Sequence, residues 1–164
     1  MSSLAQDVIA GLTGRGLTIA VAESLTGGLL VAELVSVPGA SAVLNGGVVA
    51  YNTALKHSLL GVDARLLAEH GAVHPDVAGQ MASGVRSACA VEGVPAAIGI
   101  STTGVAGPDP QDGQPVGTVF VGISSDAGTS VLSLRLEGTR QAIREAVVFE
   151  SLAQLKIILA APAN

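Results

Sequence analysis

Leu4, Val8 and Leu12 recur at every fourth position and predict a helix over residues 3–14, stopped by Gly14 and Gly16. Residues 17–22 then form a short unbroken apolar run, the pattern of a strand buried on both faces. Helical spacing resumes after Gly27-Gly28 and lasts to about Val35, where Val37-Pro38-Gly39-Ala40 reads as a loop. Residues 43–51 predict a second strand, with Asn45-Gly46-Gly47 marking a bulge or bend. Two short helices follow, over 53–60 and 63–69. A longer one has Pro75 in its first turn and carries Val77, Met81 and Val85 on one face. Residues 96–101 predict another buried strand, and 119–124 with 130–136 a hairpin across Asp126-Ala127-Gly128. A last helix is expected from about Thr139 to Leu159.

This alternation of strand and helix, closed by a hairpin and a helix, predicts one α/β domain over residues 1–164. The expected architecture is a three-layer αβα sandwich around a mixed, mostly parallel sheet. Composition sharpens the picture: apolar residues make up 49% of the chain but aromatics only 2%, beside 21 glycines. The core must therefore be small aliphatic side chains packed at close backbone approach. With few aromatic platforms and a net charge of −5, nucleic acid is not expected as a partner. The single cysteine, Cys89, excludes an internal disulfide and a multi-cysteine zinc site, and is expected as a buried core thiol. Residues 1–18 lack the basic and apolar blocks of a signal peptide, and no window has the roughly 18 apolar residues of a membrane helix. A soluble, cytoplasmic protein without a membrane partner is expected. A homo-oligomer is compatible with the sequence.

In open α/β sheets ligands gather at the carboxyl ends of the strands, and three unusual segments should fall there. Ala22-Glu23-Ser24-Leu25-Thr26-Gly27-Gly28 joins a strand to a helix, whose free N–H groups suit an anion or developing oxyanion. Ser24 is a candidate nucleophile; alternatively Ser24 or Thr26 caps the helix. The second segment carries Tyr51, the only tyrosine, and Lys56, one of two lysines. Lys56 can act as a base only if burial or a neighbouring cation lowers its pKa; otherwise it is a solvated surface lysine. The third is Thr103-Gly104-Val105-Ala106-Gly107-Pro108-Asp109, another glycine-rich strand exit that either approaches a ligand or simply turns. Arg140 sits in the first turn of the last helix, where a cation opposes the helix dipole, with Arg144 on the same face. Either a phosphate or a carboxylate such as Glu137 would account for Arg140. His70 and His74 have a metal-ligand spacing, but Gly71 and Pro75 break the helix that would align them, so no metal site is expected. A serine activated by lysine rather than histidine fits what remains.

Several of these segments, in order, resemble the CinA C-terminal family, the nicotinamide-nucleotide amidases. Ala22–Gly28 is similar to its A-E-S-C-T-G-G signature; Gly46–Asn52 with Lys56 resembles its G-G-x-V-x-Y segment and following lysine. Leu60-Gly61-Val62, Gly71-Ala72-Val73 and Met81-Ala82 also fall in the family's order. Thr103–Pro108 is similar to T-G-I-A-G-P, Pro115–Val119 to P-V-G-T-V, and Gly138, Arg140 and Arg144 to the closing G-D-R-x-x-x-R. Four departures stand out: Leu25 for a cysteine, Pro110 for a glycine, Gln114 for a common lysine, and Thr139 for the acid before Arg140.

The resemblance implies hydrolysis of the nicotinamide mononucleotide carboxamide to nicotinate mononucleotide and ammonia, without a cofactor. It implies Ser24 as nucleophile and Lys56 as base, with Tyr51 relaying a proton. The ligand would be held by Thr26, Gly27 and Gly28, the last two lending N–H groups to the oxyanion, and by Thr103, Gly104 and Arg140. Ser41 lies in another family-like segment, Pro38-Gly39-Ala40-Ser41, and is the competing nucleophile or a further ligand contact. The alternatives are a non-catalytic nucleotide-binding or competence-associated protein of the same fold, and an amidase for another small carboxamide.

Overall fold

The computed structural model describes residues 3–161 and contains six α-helices, five strands and one short 3-10 turn. Helix α1 (Leu4–Arg15) starts at a Ser3–Gln6 capping box and ends where Gly16 adopts a left-handed conformation. Strand β1 (Ile19–Glu23) leads into α2 (Leu29–Val35), and β2 (Leu44–Val49) into α3 (Thr53–Leu60), α4 (Ala64–His70) and α5 (Pro75–Ala88). Strand β3 (Ile98–Gly104) precedes the hairpin β4 (Thr118–Ser125) and β5 (Gly128–Arg135), and α6 (Arg140–Ala160) closes the described chain. No helix among the described residues is long and apolar enough to cross a membrane.

The sheet order is β2-β1-β3-β4-β5. Both β2 and β3 pair with β1 in parallel, β4 is antiparallel to β3, and β5 is antiparallel to β4. Only β4 therefore runs against the other strands, giving the mixed, mostly parallel sheet of an αβα sandwich. The expected irregularity in β2 is a bulge: Ile19 pairs with Leu44 and Ala20 with Gly46, leaving Asn45 as the extra residue. Its side chain turns away to donate to the Cys89 carbonyl at 3.1 Å. Cys89 itself is half-buried beside the core rather than enclosed by it, because it ends α5, and burial raises its thiol pKa.

Alternation along the strands gives the sheet two unlike faces. One face presents Ile19, Val21, Ile98, Ile100, Val119 and Val121 to α1, α2 and α6, forming the larger core. The other presents Ala20, Ala22, Gly99, Ser101 and Gly122, against which α5 lies almost backbone to backbone. A Cβ at Gly99 would come within 1.9 Å of the Ala82 carbonyl oxygen, and one at Gly122 within 2.3 Å of that of Ala78. The Ser101 hydroxyl donates to the same Ala78 carbonyl at 2.6 Å. Strand β3 runs beyond the apolar stretch that predicted it because each of its polar side chains finds a bond. Thr102 pairs with Thr26, and Thr103 donates to the Ala72 carbonyl at 2.7 Å.

Candidate active site

Strand β1 ends at Glu23, and the next residues must turn sharply to begin α2 on the larger-core side. Glu23 is wholly buried and fixes the turn: its two carboxylate oxygens accept from the N–H groups of Leu30, at 2.9 Å, and Val31, at 3.1 Å. A carboxylate at a helix N-terminus meets both its unpaired donors and the positive end of its dipole. Gly28, left-handed, occupies the N-cap and makes no side-chain bond, so neither Ser24 nor Thr26 caps α2. The Ser24 hydroxyl is thereby not spent on a helix cap. Its main chain is clamped to β3, with the Ser24 N–H donating to the Thr102 carbonyl at 3.0 Å.

Lys56 reaches the same point from the other layer. Asn52 caps α3, its side chain accepting from the Ala54 N–H at 2.9 Å, and one turn later Lys56 points inward. Its side chain is 0% exposed, and Nζ lies 2.9 Å from Ser24 Oγ while donating to the Ala50 carbonyl at 2.7 Å. Burial drives its pKa down from 10.5 to about 8; the negative charge of Asp112 pulls weakly the other way. An appreciable share of the amine is therefore neutral near pH 7–8. With one hydrogen donated to Ala50, the lone pair of that neutral amine can accept the Ser24 proton.

Above the pair opens a cavity of about 150 Å³, lined by Ser24, Leu25, Tyr51, Thr103, Gly104 and Arg140 among others. Two of its walls are tied together: Ala72 accepts from the Thr103 hydroxyl and donates to the Asp112 carboxylate at 2.9 Å. Gly71, beside it, has a left-handed φ of 72°, and a Cβ there would strike Asp112. At the mouth, Arg140 donates to the Gly107 carbonyl at 2.6 Å and to the Tyr51 hydroxyl at 2.9 Å.

The structure thus gathers Ser24, Lys56, Tyr51, Thr103, Gly104 and Arg140 at one end of the sheet. It also reassigns several expected roles. Tyr51 is 60% exposed, and its hydroxyl accepts from Arg140 rather than reaching Lys56. The Thr26 hydroxyl is 2.8 Å from that of Thr102, inside the protein, and Gly27 donates its N–H to the Ser24 carbonyl. Ser41 lies before β2, at the opposite end of the strands, in a separate depression with Val31, Val35 and Pro38. Arg140 makes no ion pair with Glu137. His70 ends α4, and His74 caps α5 by accepting from the Asp76 N–H. Glu23, Thr102 and Asp112 had no assigned role from sequence; an acid at a strand exit six residues before a helix was the signal available for Glu23.

The family model of the CinA C-terminal domain matches residues 1–159. The chain belongs to that family. Among its relatives, a CinA-like protein of Frankia casuarinae is 48% identical over 99% of this chain. A putative competence-damage inducible protein of Geobacillus sp. is 52% identical over 77%. The chain spans only 36% and 30% of those two relatives, about a third of their length. Solved CinA-type structures match it end to end. Competence damage-inducible protein A of Klebsiella pneumoniae superposes with a TM-score of 0.90 at 32% identity, covering 98% of this chain and 97% of that one. The competence/damage inducible protein CihA of Agrobacterium tumefaciens gives 0.87 at 33%, covering 98% and 100%. Two of the departures from the CinA motifs have structural explanations. Thr139 still caps α6, accepting from the Ala142 N–H at 3.2 Å, and Leu25 packs its side chain into the larger core.

Proposed function

We propose that this CinA domain is a serine amidase that hydrolyses the carboxamide of nicotinamide mononucleotide to nicotinate mononucleotide and ammonia. The observation that carries the reading is the wholly buried Lys56 amine 2.9 Å from the Ser24 hydroxyl, with its pKa lowered to about 8.

Ser24 Oγ attacks the carboxamide carbon as its proton passes to the neutral Lys56 amine, leaving an oxyanion and an ammonium. Collapse breaks the carbon–nitrogen bond, and Lys56 returns the proton to the departing nitrogen, which leaves as ammonia. The resulting Ser24 ester is then attacked by water, whose proton Lys56 again accepts. A second collapse releases the carboxylic acid product and restores the serine, its proton coming back from Lys56. Arg140 and Tyr51 at the mouth face the nucleotide's ribose phosphate, while Thr103 and Gly104 form the wall along its ring.

The test is incubation with nicotinamide mononucleotide and identification of both products. Ser24→Ala is expected to lower ammonia release by about 10³-fold or more, while Ser41→Ala retains it. Retained turnover in the Ser24 variant would overturn the covalent role.

A further inference from the structure

Arg144 follows Arg140 by one helical turn but does not enter the cavity. Its Nε donates to the Leu25 carbonyl at 2.8 Å and its Nη2 to the Thr26 carbonyl at 3.1 Å. Among the described residues no carboxylate pairs with it. A guanidinium fork is normally matched to a carboxylate or phosphate. Here, half-buried, it is matched to two successive carbonyls of the turn that carries the candidate nucleophile.

The consequence follows from peptide geometry. In a trans peptide the C=O and the N–H point in opposite directions. Holding the Leu25 carbonyl therefore aims the Thr26 N–H away from Arg144, and holding the Thr26 carbonyl does the same to the Gly27 N–H. The Gly27 N–H has an acceptor, the Ser24 carbonyl at 3.1 Å. The Thr26 N–H has none among the described residues, although Thr26 is 0% exposed, and neither has the N–H of Leu25. Buried main-chain donors are nearly always paired. Of these two orphans directly after a nucleophile, it is the Leu25 N–H whose residue lines the cavity and which is open to a ligand oxygen.

We propose that Arg144 is a positioning residue, holding the Leu25 and Thr26 carbonyls so that the turn keeps the Leu25 N–H facing the oxyanion formed when Ser24 attacks. It works through the main chain and touches no reacting atom. This rests on Ser24 being the nucleophile but not on which carboxamide is the substrate.

The test uses the full chain and a fluorophosphonate probe. The Ser24 oxygen bonds to phosphorus, fluoride leaves, and Lys56 takes the proton, so labelling reads nucleophile and oxyanion donors together. Mass spectrometry locates the label, and the labelling rate is followed against pH. Arg144→Ala is expected to slow labelling about 100-fold, with its pH midpoint unmoved because Arg144 does not contact Lys56. Arg144→Lys, whose amine reaches one carbonyl, should recover part of the rate. With nicotinamide mononucleotide, kcat should fall in parallel while KM changes less than about threefold. Folded Arg144→Ala protein labelled at close to the wild-type rate overturns the proposal. Where circular dichroism shows that Arg144→Ala does not fold, Arg144→Lys decides: a wild-type rate overturns the assignment and a slowed rate supports it. Wild-type protein that takes no label at Ser24 defeats the serine reading itself. Labelling that Arg144→Ala leaves unchanged defeats only the role of Arg144.

Discussion

The floor and the mouth of the cavity are built on opposite terms. On the floor, Glu23, Thr26, Lys56 and Thr102 are withdrawn from solvent altogether and Ser24 nearly so, and their side chains are held by main chain or by one another. At the mouth, Tyr51 stands 60% exposed and is tied by a single bond to Arg140. The departures at Pro110 and Gln114 fall in the loop beside that mouth, not on the floor. On the proposed reading the contrast separates two jobs: burial on the floor tunes a base and fixes a hydroxyl against it, and the mouth selects what reaches them.

The strongest way to break this contrast is to remove the charge on the floor while keeping its volume. Lys56→Met should lower turnover by about 10³-fold or more, since the serine loses its base. Thermal stability should hold or rise, because an apolar isostere ends the cost of burying an amine. A fall in both, by ammonia assay and melting, would make Lys56 a structural residue first.

A second probe is pH. The logarithm of kcat/KM should climb with slope near one up to about pH 8, the lowered pKa of Lys56, and then level off. Stability must follow the same titration with a definite sign. The folded-state pKa lies below the unfolded value, so between about pH 8 and 10.5 the unfolded chain binds more protons and folding gains as pH rises. Over that window the gain attributable to this group is on the order of 3 kcal/mol, and Lys56→Met should erase it. Asp112→Asn removes the opposing charge and should move the activity midpoint slightly downward.

Glu23→Gln tests the turn without touching the chemistry. One carboxylate oxygen becomes a donor facing an N–H, and the variant should lose about 1–3 kcal/mol in denaturant unfolding. The smallest effect is expected at the mouth: Tyr51→Phe removes one exposed hydrogen bond and should raise KM about two- to fivefold with kcat unchanged. A large loss of kcat there would put Tyr51 back in the proton path.

Much of this was legible in the chain. Hydrophobic period located every helix and strand to within a few residues, and glycine and proline marked their ends; the Asn45 bulge was readable as an irregularity. Of the site, Ser24 and Lys56 could be nominated, because a serine at a strand exit and a scarce lysine are local facts. Their meeting is not local. It depends on β2 lying beside β1 and on α3 folding back beneath the exit, a contact spanning 32 residues. Arg144 could not be assigned from the chain for the same reason. Its place one turn after Arg140 left its role open, because its partners lie more than a hundred residues earlier on a turn no periodicity describes. Ser41 shared a motif with the family but not an end of the sheet: it precedes β2, whereas Ser24 follows β1.

Residue 72 uses both of its main-chain polar groups to join a strand and a loop, one bond to Thr103 near the end of β3 and one to Asp112. A cavity whose sides are already fastened together need not close on its guest. Association should then resemble the filling of a rigid mould, proceeding in one kinetic phase with little loss of chain entropy. Discrimination between guests comes from their fit at the moment of entry, without a later folding of the protein around them.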